Sequence, residues 1–434
     1  MTSNEPSQAY VWIWLPGEAS PVIAGLLTQD GPLLKFNYGQ SYLKRENKIS
    51  IYTKELPLRA GRIDPLAGLS MPGCIRDGAP DAWGRRVIIN RKYGNTGKDI
   101  VHDDLSELTY FLESGSDRIG ALDFQSGEKY QPRDMDEAPL ETLLEAAELV
   151  ERGNPLPIGL DRALHHGTAI GGARPKALIN ETDRKHIAKF SSTNDTYSVI
   201  KAEYIAMKLA ALAGLNVAKV KLVKAAHKDV LLIERFDRVK ANGGWARKAM
   251  VSALTMLELD ENLARYASYQ RLAEIVRLNF TAASATLREL FSRIVFNVLC
   301  GNTDDHARNH AAFWDGSRLT LTPAYDICPQ MRTGGEANQA MSILSNERRS
   351  QIALCLDAAE EVFLLNRAEA FELVERIAHT IVNNWNSVCE EAQVSPVDRK
   401  LFQSRQFFNP YALEGLGGDE EKKLKNLKSD FEAM

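Results

Sequence analysis

The stretch GNTDDHARNHAAFW, Gly301 to Trp314, and the segment AYDI, Ala324 to Ile327, decide how the chain reads. Polar residues crowd together here, directly behind an apolar run. Leu287, Leu290, Phe291, Ile294, Val295, Val298 and Leu299 recur at i, i+3, i+4, i+7, i+8, i+11 and i+12. That spacing predicts a helix packed deep in a lobe and stopped by Gly301. Phosphoryl transfer asks the protein mainly to position groups: one aspartate receives the hydroxyl proton, while an Asn and a second Asp hold magnesium against the phosphate charge. Asp304, Asn309 and Asp326 stand in that order, with the second Asp after a strand-like SRLTLTP.

Upstream, IGGARPKALI (Ile170 to Ile179) places a glycine pair and Lys176 ahead of a strand-like ALI. Glycine permits close backbone approach, so N–H groups can face phosphate oxygens. A second lysine, Lys189, lies in the next strand-like run, HIAKF, where an ammonium can meet nucleotide phosphates. A long helix within VIKAEYIAMKLAALAGL follows, closed by Gly214 and carrying Glu203, a candidate partner for Lys189. Two strands come next, Val217 to Val223 and Val230 to Phe236, and the chain beyond Asp237 reads as mainly helical. This is the element order of a bilobal kinase.

Ahead of that core, Val11 to Leu15, Val22 to Leu27, Leu33 to Tyr38 and Ile49 to Tyr52 predict a small antiparallel sheet. Tyr10, Trp12 and Trp14 alternate along one strand and read as a packed sheet face. PLETLLEAAELVERG predicts a helix ending at Gly153, with a boundary near 153 to 160. YGNTGKD, from Tyr93 to Asp99, reads as a turn, because its glycine spacing and the Asp after Lys98 do not fit a phosphate loop. The tail after Phe408 is polar and reads as a solvated end. The expected fold is α+β: a bilobal protein-kinase-like core, with a small β-rich lobe and a mostly helical C-lobe, preceded by an N-terminal β-rich domain. The expected domains are an N-terminal domain over 1–155, the small lobe over 156–238, the helical lobe over 239–412 and a polar tail over 413–434.

Composition narrows the function classes. With 434 residues, 44% hydrophobic and 25% charged, the chain is a folded soluble protein, neither collagen-like nor a coiled-coil rod. Lys plus Arg number 53 against 57 Asp plus Glu, so the net charge of −4 supplies no global basic field for nucleic acid. Five cysteines, odd in number and without a CxxC pair, support neither a disulfide framework nor a structural zinc site and suit a reducing compartment. The first residues lack a signal-peptide pattern and no run of 18 apolar residues occurs, so the expected location is cytoplasmic, without a membrane partner. His306 and His310 have the i, i+4 spacing of a metal-binding helix, but Ala307 stands where a metallohydrolase would carry its Glu.

GGARPK, IAKF, ERFDR, GNTDDHARN and PAYDI together resemble the signatures of HipA-type Ser/Thr kinases, the toxins of bacterial HipBA modules, over roughly residues 10 to 410. The resemblance implies an ATP- and Mg2+-dependent protein kinase with Asp304 as catalytic base and Asn309 and Asp326 as metal ligands. It implies that Ile170, Gly171, Gly172 and Ala173 cover the phosphates and that Lys176 and Lys189 join them. Glu234 and Phe236 would meet the adenine, Asp237 the ribose, and His306 would order the loop at the nucleotide. It implies a protein substrate of the translation machinery, with aminoacyl-tRNA synthetases favoured, and growth arrest. The implied partner is a helix-turn-helix antitoxin of HipB type, which would bring the chain to operator DNA. In self-silencing members a serine stands seven residues before the loop lysine; Ala169 holds that place here, and the nearest hydroxyl is Thr168, to which self-phosphorylation would have to move. Asp305 receives no chemistry. Two alternatives share these residues: a small-molecule hydroxyl kinase, and a nucleotide-holding pseudokinase acting as corepressor subunit with the antitoxin.

Overall fold

Short alternating runs near the N-terminus build an antiparallel sheet from β1 (Gln8–Ile13), β2 (Val22–Asp30), β3 (Leu33–Tyr38), β4 (Arg62–Ile63) and β5 (Leu122–Gln125), in the order β4-β3-β2-β1-β5. The computed structural model describes residues 5–94, 105–133, 138–157, 160, 164, 167–332 and 334–434. Most of the expected YGNTGKD turn lies outside these residues. Trp12 and Trp14 are buried against Tyr130, with ring centroids 5.2 and 5.6 Å away, so the aromatic alternation is sheet packing. Ile49 to Tyr52 is not the expected strand. The Tyr38 hydroxyl accepts the Ile51 N–H at 2.9 Å and the Tyr42 hydroxyl accepts the Ile49 N–H at 3.3 Å, so phenols take the place of a strand partner, and β4 occupies the edge beside β3.

A second sheet contains β6 (Lys176–Asn180), β7 (Lys185–Phe190), β8 (Val220–Ala225) and β9 (Lys228–Glu234), in the order β6-β7-β9-β8. β8 starts later than its alternation suggested, because Val217 makes only an isolated parallel bridge to Ala324 and the Ala218 N–H donates to the Ala324 carbonyl at 2.9 Å. Those bonds use the backbone that a longer strand would need.

The chain divides into two compact units that alternate along the sequence: Met1–Asp195, Val223–Val251 and Phe313–Ser317 form the first, and Thr196–Leu222, Ser252–Ala312 and Arg318–Met434 the second. In the first, the helices Ala82–Tyr93 and Leu140–Glu151 lay Trp83, Val87, Leu143, Leu144 and Ala147 onto Ala177, Ala188, Phe190, Val230 and Leu232 of the second sheet. Each large apolar side chain buried this way contributes about 1.5–3 kcal/mol. The hydrophobic core thus continues across the boundary expected near residue 155.

In the second unit the helix Ala283–Cys300 carries the expected stripe, every member of it fully buried. Gly301 ends it in the left-handed conformation at φ 74°. The helix Tyr269–Asn279 is capped by Ser268, whose Oγ accepts the Arg271 N–H, and the helix Arg367–Glu391 opens with a reciprocal Asn366–Glu369 capping box. The polar tail is ordered, contrary to expectation. Residues Gly418–Glu432 form a helix whose Leu424, Leu427 and Phe431, at i, i+3 and i+7, are buried, with Phe431 against Trp385 at a centroid distance of 4.9 Å. Three apolar residues among many charges suffice for a helix that buries one narrow stripe. Among the described residues no helix is long and apolar enough to cross a membrane.

Candidate active site

The residues after the central helix form a tight loop that closes in a short 3-10 helix, Ala307–Asn309. The His306 N–H donates to the Asp304 carbonyl at 2.9 Å, the Asn309 N–H to the His306 carbonyl at 2.8 Å, and the Asn309 Nδ2 to the Asp304 carbonyl at 3.1 Å. These bonds fix Asn309 beside Asp304 and leave the Asn309 side-chain oxygen as an acceptor. Tyr325 brings in the second motif, since its hydroxyl donates to the Arg308 carbonyl at 2.7 Å. The next residue, Asp326, has φ 59°. An aspartate in the left-handed region is held there by its surroundings, and such strain gathers at functional sites.

Electrostatics agree with this convergence. The Asp304 carboxyl is raised above the ordinary carboxylate range, first by partial burial and also by the negative charges of Asp326 and Asp305, with His306 opposing. Asp305 points the other way. It is buried, its carboxylate accepts from the Tyr269 hydroxyl and lies 3.0 Å from His310 Nε2, and Tyr269 Oη in turn lies 3.1 Å from that nitrogen. Burial pushes the Asp305 carboxyl up, but His310 and Tyr269 outweigh it and hold it below the ordinary range. Asp305 is therefore an internal anchor of the loop. With His310 committed to this triangle, the two histidines do not form a shared metal site, and no group of three His, Cys, Asp or Glu suited to a metal occurs among the described residues.

In the first unit, Gly171 to Ala173 form an exposed turn, with Ile170 buried at its root. Lys176 reaches back under this turn and donates to the Gly171 carbonyl. Gly172, at φ 111°, lies so close to Lys176 that a Cβ would fall 2.0 Å from its Nζ. Lys176 and Lys189 are direct partners across β6 and β7, and both are buried. Like charges directly opposite each other on a sheet are unfavourable, and an anion beside them relieves that cost. Helix Ala82–Tyr93 braces the turn: the Trp83 Nε1 donates to the Lys176 carbonyl at 3.1 Å, and a Cβ on Gly84 would fall 1.9 Å from the Thr168 carbonyl oxygen.

Two expected site residues, Thr168 and Asp237, are placed differently from their assigned roles. Thr168 is fully buried and its hydroxyl accepts the Gly115 N–H at 2.9 Å, which removes it from the accessible acceptors in this conformation. Asp237 is buried with its oxygens taken by Arg235, Arg238 and the Gly120 N–H, so its carboxylate is committed inside the protein and not open to a ribose. Glu234 lies 3.4 Å from Arg184, at a side-chain exposure of 25%, while Phe236 is half-buried against Phe313.

Residues 168–385 match the family model for the HipA-like C-terminal domain, which is half of the chain. The chain belongs to the HipA family. It is 29% identical to a serine/threonine-protein kinase toxin HipA of Shewanella oneidensis over 158 residues, or 33% of this chain and 36% of the toxin. It is 23% identical to a putative kinase, Y4mE, of Sinorhizobium fredii over 73% of this chain and 76% of that protein. The first alignment spans about a third of the toxin's own length. A solved Shewanella oneidensis structure of HipA with HipB and operator DNA matches over 98% of this chain and 96% of that one, with a TM-score of 0.67 and 20% identity, so the two share a fold.

Within this HipA-family fold, the residues that support the loop were the ones hardest to find from sequence. Tyr325 sat inside a recognised motif, and its position just before Asp326 was the available signal. Tyr269 lies in a different element from Asp305, and no local pattern links them. The brace at Trp83 and Gly84 is equally remote from the glycine pair in sequence.

Proposed function

We propose that this chain is an ATP- and Mg2+-dependent serine/threonine protein kinase and the toxin of a toxin–antitoxin pair. The observation that carries the reading is the gathering of Asp304, Asn309 and Asp326 by the bonds of Asn309 and Tyr325. The donor set fits magnesium: a carboxylate and an amide oxygen are hard ligands, and few protein ligands are needed because Mg2+ keeps several waters and shares phosphate oxygens. Asn309 and Asp326 would hold the ion, which when bound neutralises the charge of the transferring phosphoryl group. Asp304 would accept the proton of the acceptor hydroxyl, a role aided by the partial burial that raises its carboxyl above the ordinary carboxylate range.

For the nucleotide, the turn at Ile170 to Ala173 would offer backbone N–H groups to the phosphates, with Lys176 and Lys189 supplying positive charge. Glu234 and Phe236 would meet the base. The acceptor would be a serine or threonine on a translation protein, with aminoacyl-tRNA synthetases the leading class. The partner would be a helix-turn-helix protein of HipB type that contacts operator DNA, which suits a chain with a net charge of −4 that lacks a basic field of its own.

Magnesium-dependent phosphoryl transfer by the purified chain tests this reading, with Asp304→Asn and Asp326→Asn as controls. Each variant is expected to stay folded and to lose on the order of 10³-fold in rate, the cost of removing the base or a metal ligand. Equal rates in all three proteins would reject the assignment. Phosphoproteomics after induced expression would identify the acceptor.

A further inference from the structure

Four buried charges hold the end of β9 from behind. Asp117 Oδ1 accepts from Arg235 Nη1 at 3.1 Å and from Arg238 Nε and Nη2 at 3.0 and 2.7 Å, while its Oδ2 takes Lys185 Nζ at 2.5 Å. Asp237 Oδ1 accepts from Arg235 Nε at 3.0 Å, and its Oδ2 from Arg235 Nη2 at 2.8 Å, Arg238 Nη1 at 2.9 Å and the Gly120 N–H at 2.8 Å. The remaining guanidinium donors reach main-chain carbonyls of Asp117, Arg118 and Gly120. Arg118 is itself anchored, with its Nε donating to Asp123 of β5 at 2.9 Å and its Nη1 to the Gly78 carbonyl at 2.9 Å. The loop at Asp117 to Gly120 is thus a rigid mould, tied to the N-terminal sheet.

The strand β9 ends at Glu234 and the chain turns at Phe236 and Asp237, so the buried charge cluster decides which side chains of the segment stay outside. Arg235 and Asp237 are buried in the mould, and Glu234 and Phe236, between and beside them, stay partly exposed. We propose that Asp117 is a positioning residue for nucleotide-base recognition: by locking Arg235 and Arg238 it pre-organises the outward edge formed by Glu234 and Phe236. This inference rests on the kinase reading above. It assigns to the N-terminal region a part in substrate selection that its remoteness in sequence from the catalytic motifs does not suggest. Ligand-facing groups hold a fixed geometry when the groups behind them are themselves fixed. Removing one charge from such a closed cluster leaves the opposing guanidinium groups underpartnered, so the segment relaxes.

Steady-state kinetics of the full chain with ATP and with GTP test the inference, comparing the unaltered protein, Asp117→Asn, Arg238→Lys and Asp304→Asn. In Asp117→Asn and Arg238→Lys the KM for ATP is expected to rise about tenfold, equivalent to one charge-assisted hydrogen bond, with kcat little changed and a narrower preference for ATP over GTP. A purely structural role would lower the melting temperature and the active fraction while leaving KM and base preference as they were, and that result overturns the proposal. If Asp117→Asn does not fold, Lys185→Met, which removes only one partner of Asp117, is read by the same two quantities. No turnover in the unaltered protein, or equal turnover in Asp304→Asn, would instead overturn the kinase reading itself.

Discussion

At Gly301 two requirements coincide. The residue sits at φ 74°, which L side chains avoid, and a Cβ there would fall 2.6 Å from the Gln406 carbonyl oxygen. Either condition favours glycine, and together they make the end of the central helix a fixed point from which the loop to Asp304 departs. Gly301→Ala is therefore expected to lower stability by about 2 kcal/mol or more, measured by denaturant unfolding. Tyr269 acts on the same loop from the other side through Asp305 and His310. Tyr269→Phe keeps the ring but deletes a hydrogen bond to a buried carboxylate, at a cost of about 1–3 kcal/mol in stability. Phosphoryl transfer should fall with it if the loop loosens; unchanged stability and unchanged transfer would show that His310 alone holds Asp305.

Elements differ in how far local pattern specifies them. The helix Gly418–Glu432 is stabilised by three buried residues, so Phe431→Ala is expected to cost about 3–5 kcal/mol, while Lys422→Ala on its exposed side stays within about 0.5 kcal/mol. Thermal unfolding of the two variants checks the contrast. This helix was hard to read because charge outnumbers apolar residues along it, and its packing surface at Trp385 belongs to another element. The helix Ala283–Cys300 was legible in full, since its apolar period is long and Gly301 marks its end. β6, β7 and β9 were legible within a residue or two, as compact runs between turn residues. β4 and the loss of the Ile49–Tyr52 strand were not, because the choice between them depends on where Tyr38 and Tyr42 send their hydroxyls. In the candidate site the same division holds. Asp304, Asn309 and Asp326 follow from residue type and spacing, whereas the commitment of Asp237 to Arg235 and Arg238, and of Thr168 to Gly115, depends on contacts far apart in sequence.

At the scale of the whole molecule, stability toward acid follows from the buried charges shared by the N-terminal region and the second sheet. Burial alone would raise the carboxyls of Asp117 and Asp237, but Arg235 and Arg238 outweigh it, holding Asp117 well below the ordinary carboxylate range and Asp237 at about 2. An unfolded aspartate titrates near 3.8. A carboxyl lowered in the folded state adds stability that is present in full above its unfolded value and is lost as the pH falls toward the folded one. For Asp237 that contribution is about 2 kcal/mol, disappearing between roughly pH 4 and pH 2. Asp117 extends the loss in the same direction. Urea unfolding at intervals from pH 6 to pH 2 should therefore show a steep fall in the unaltered protein and a shallower one in Asp237→Asn, which carries no titrating carboxyl at that position. Parallel curves for the two proteins would mean that this cluster is neutral toward acid and that carboxylates elsewhere set the limit.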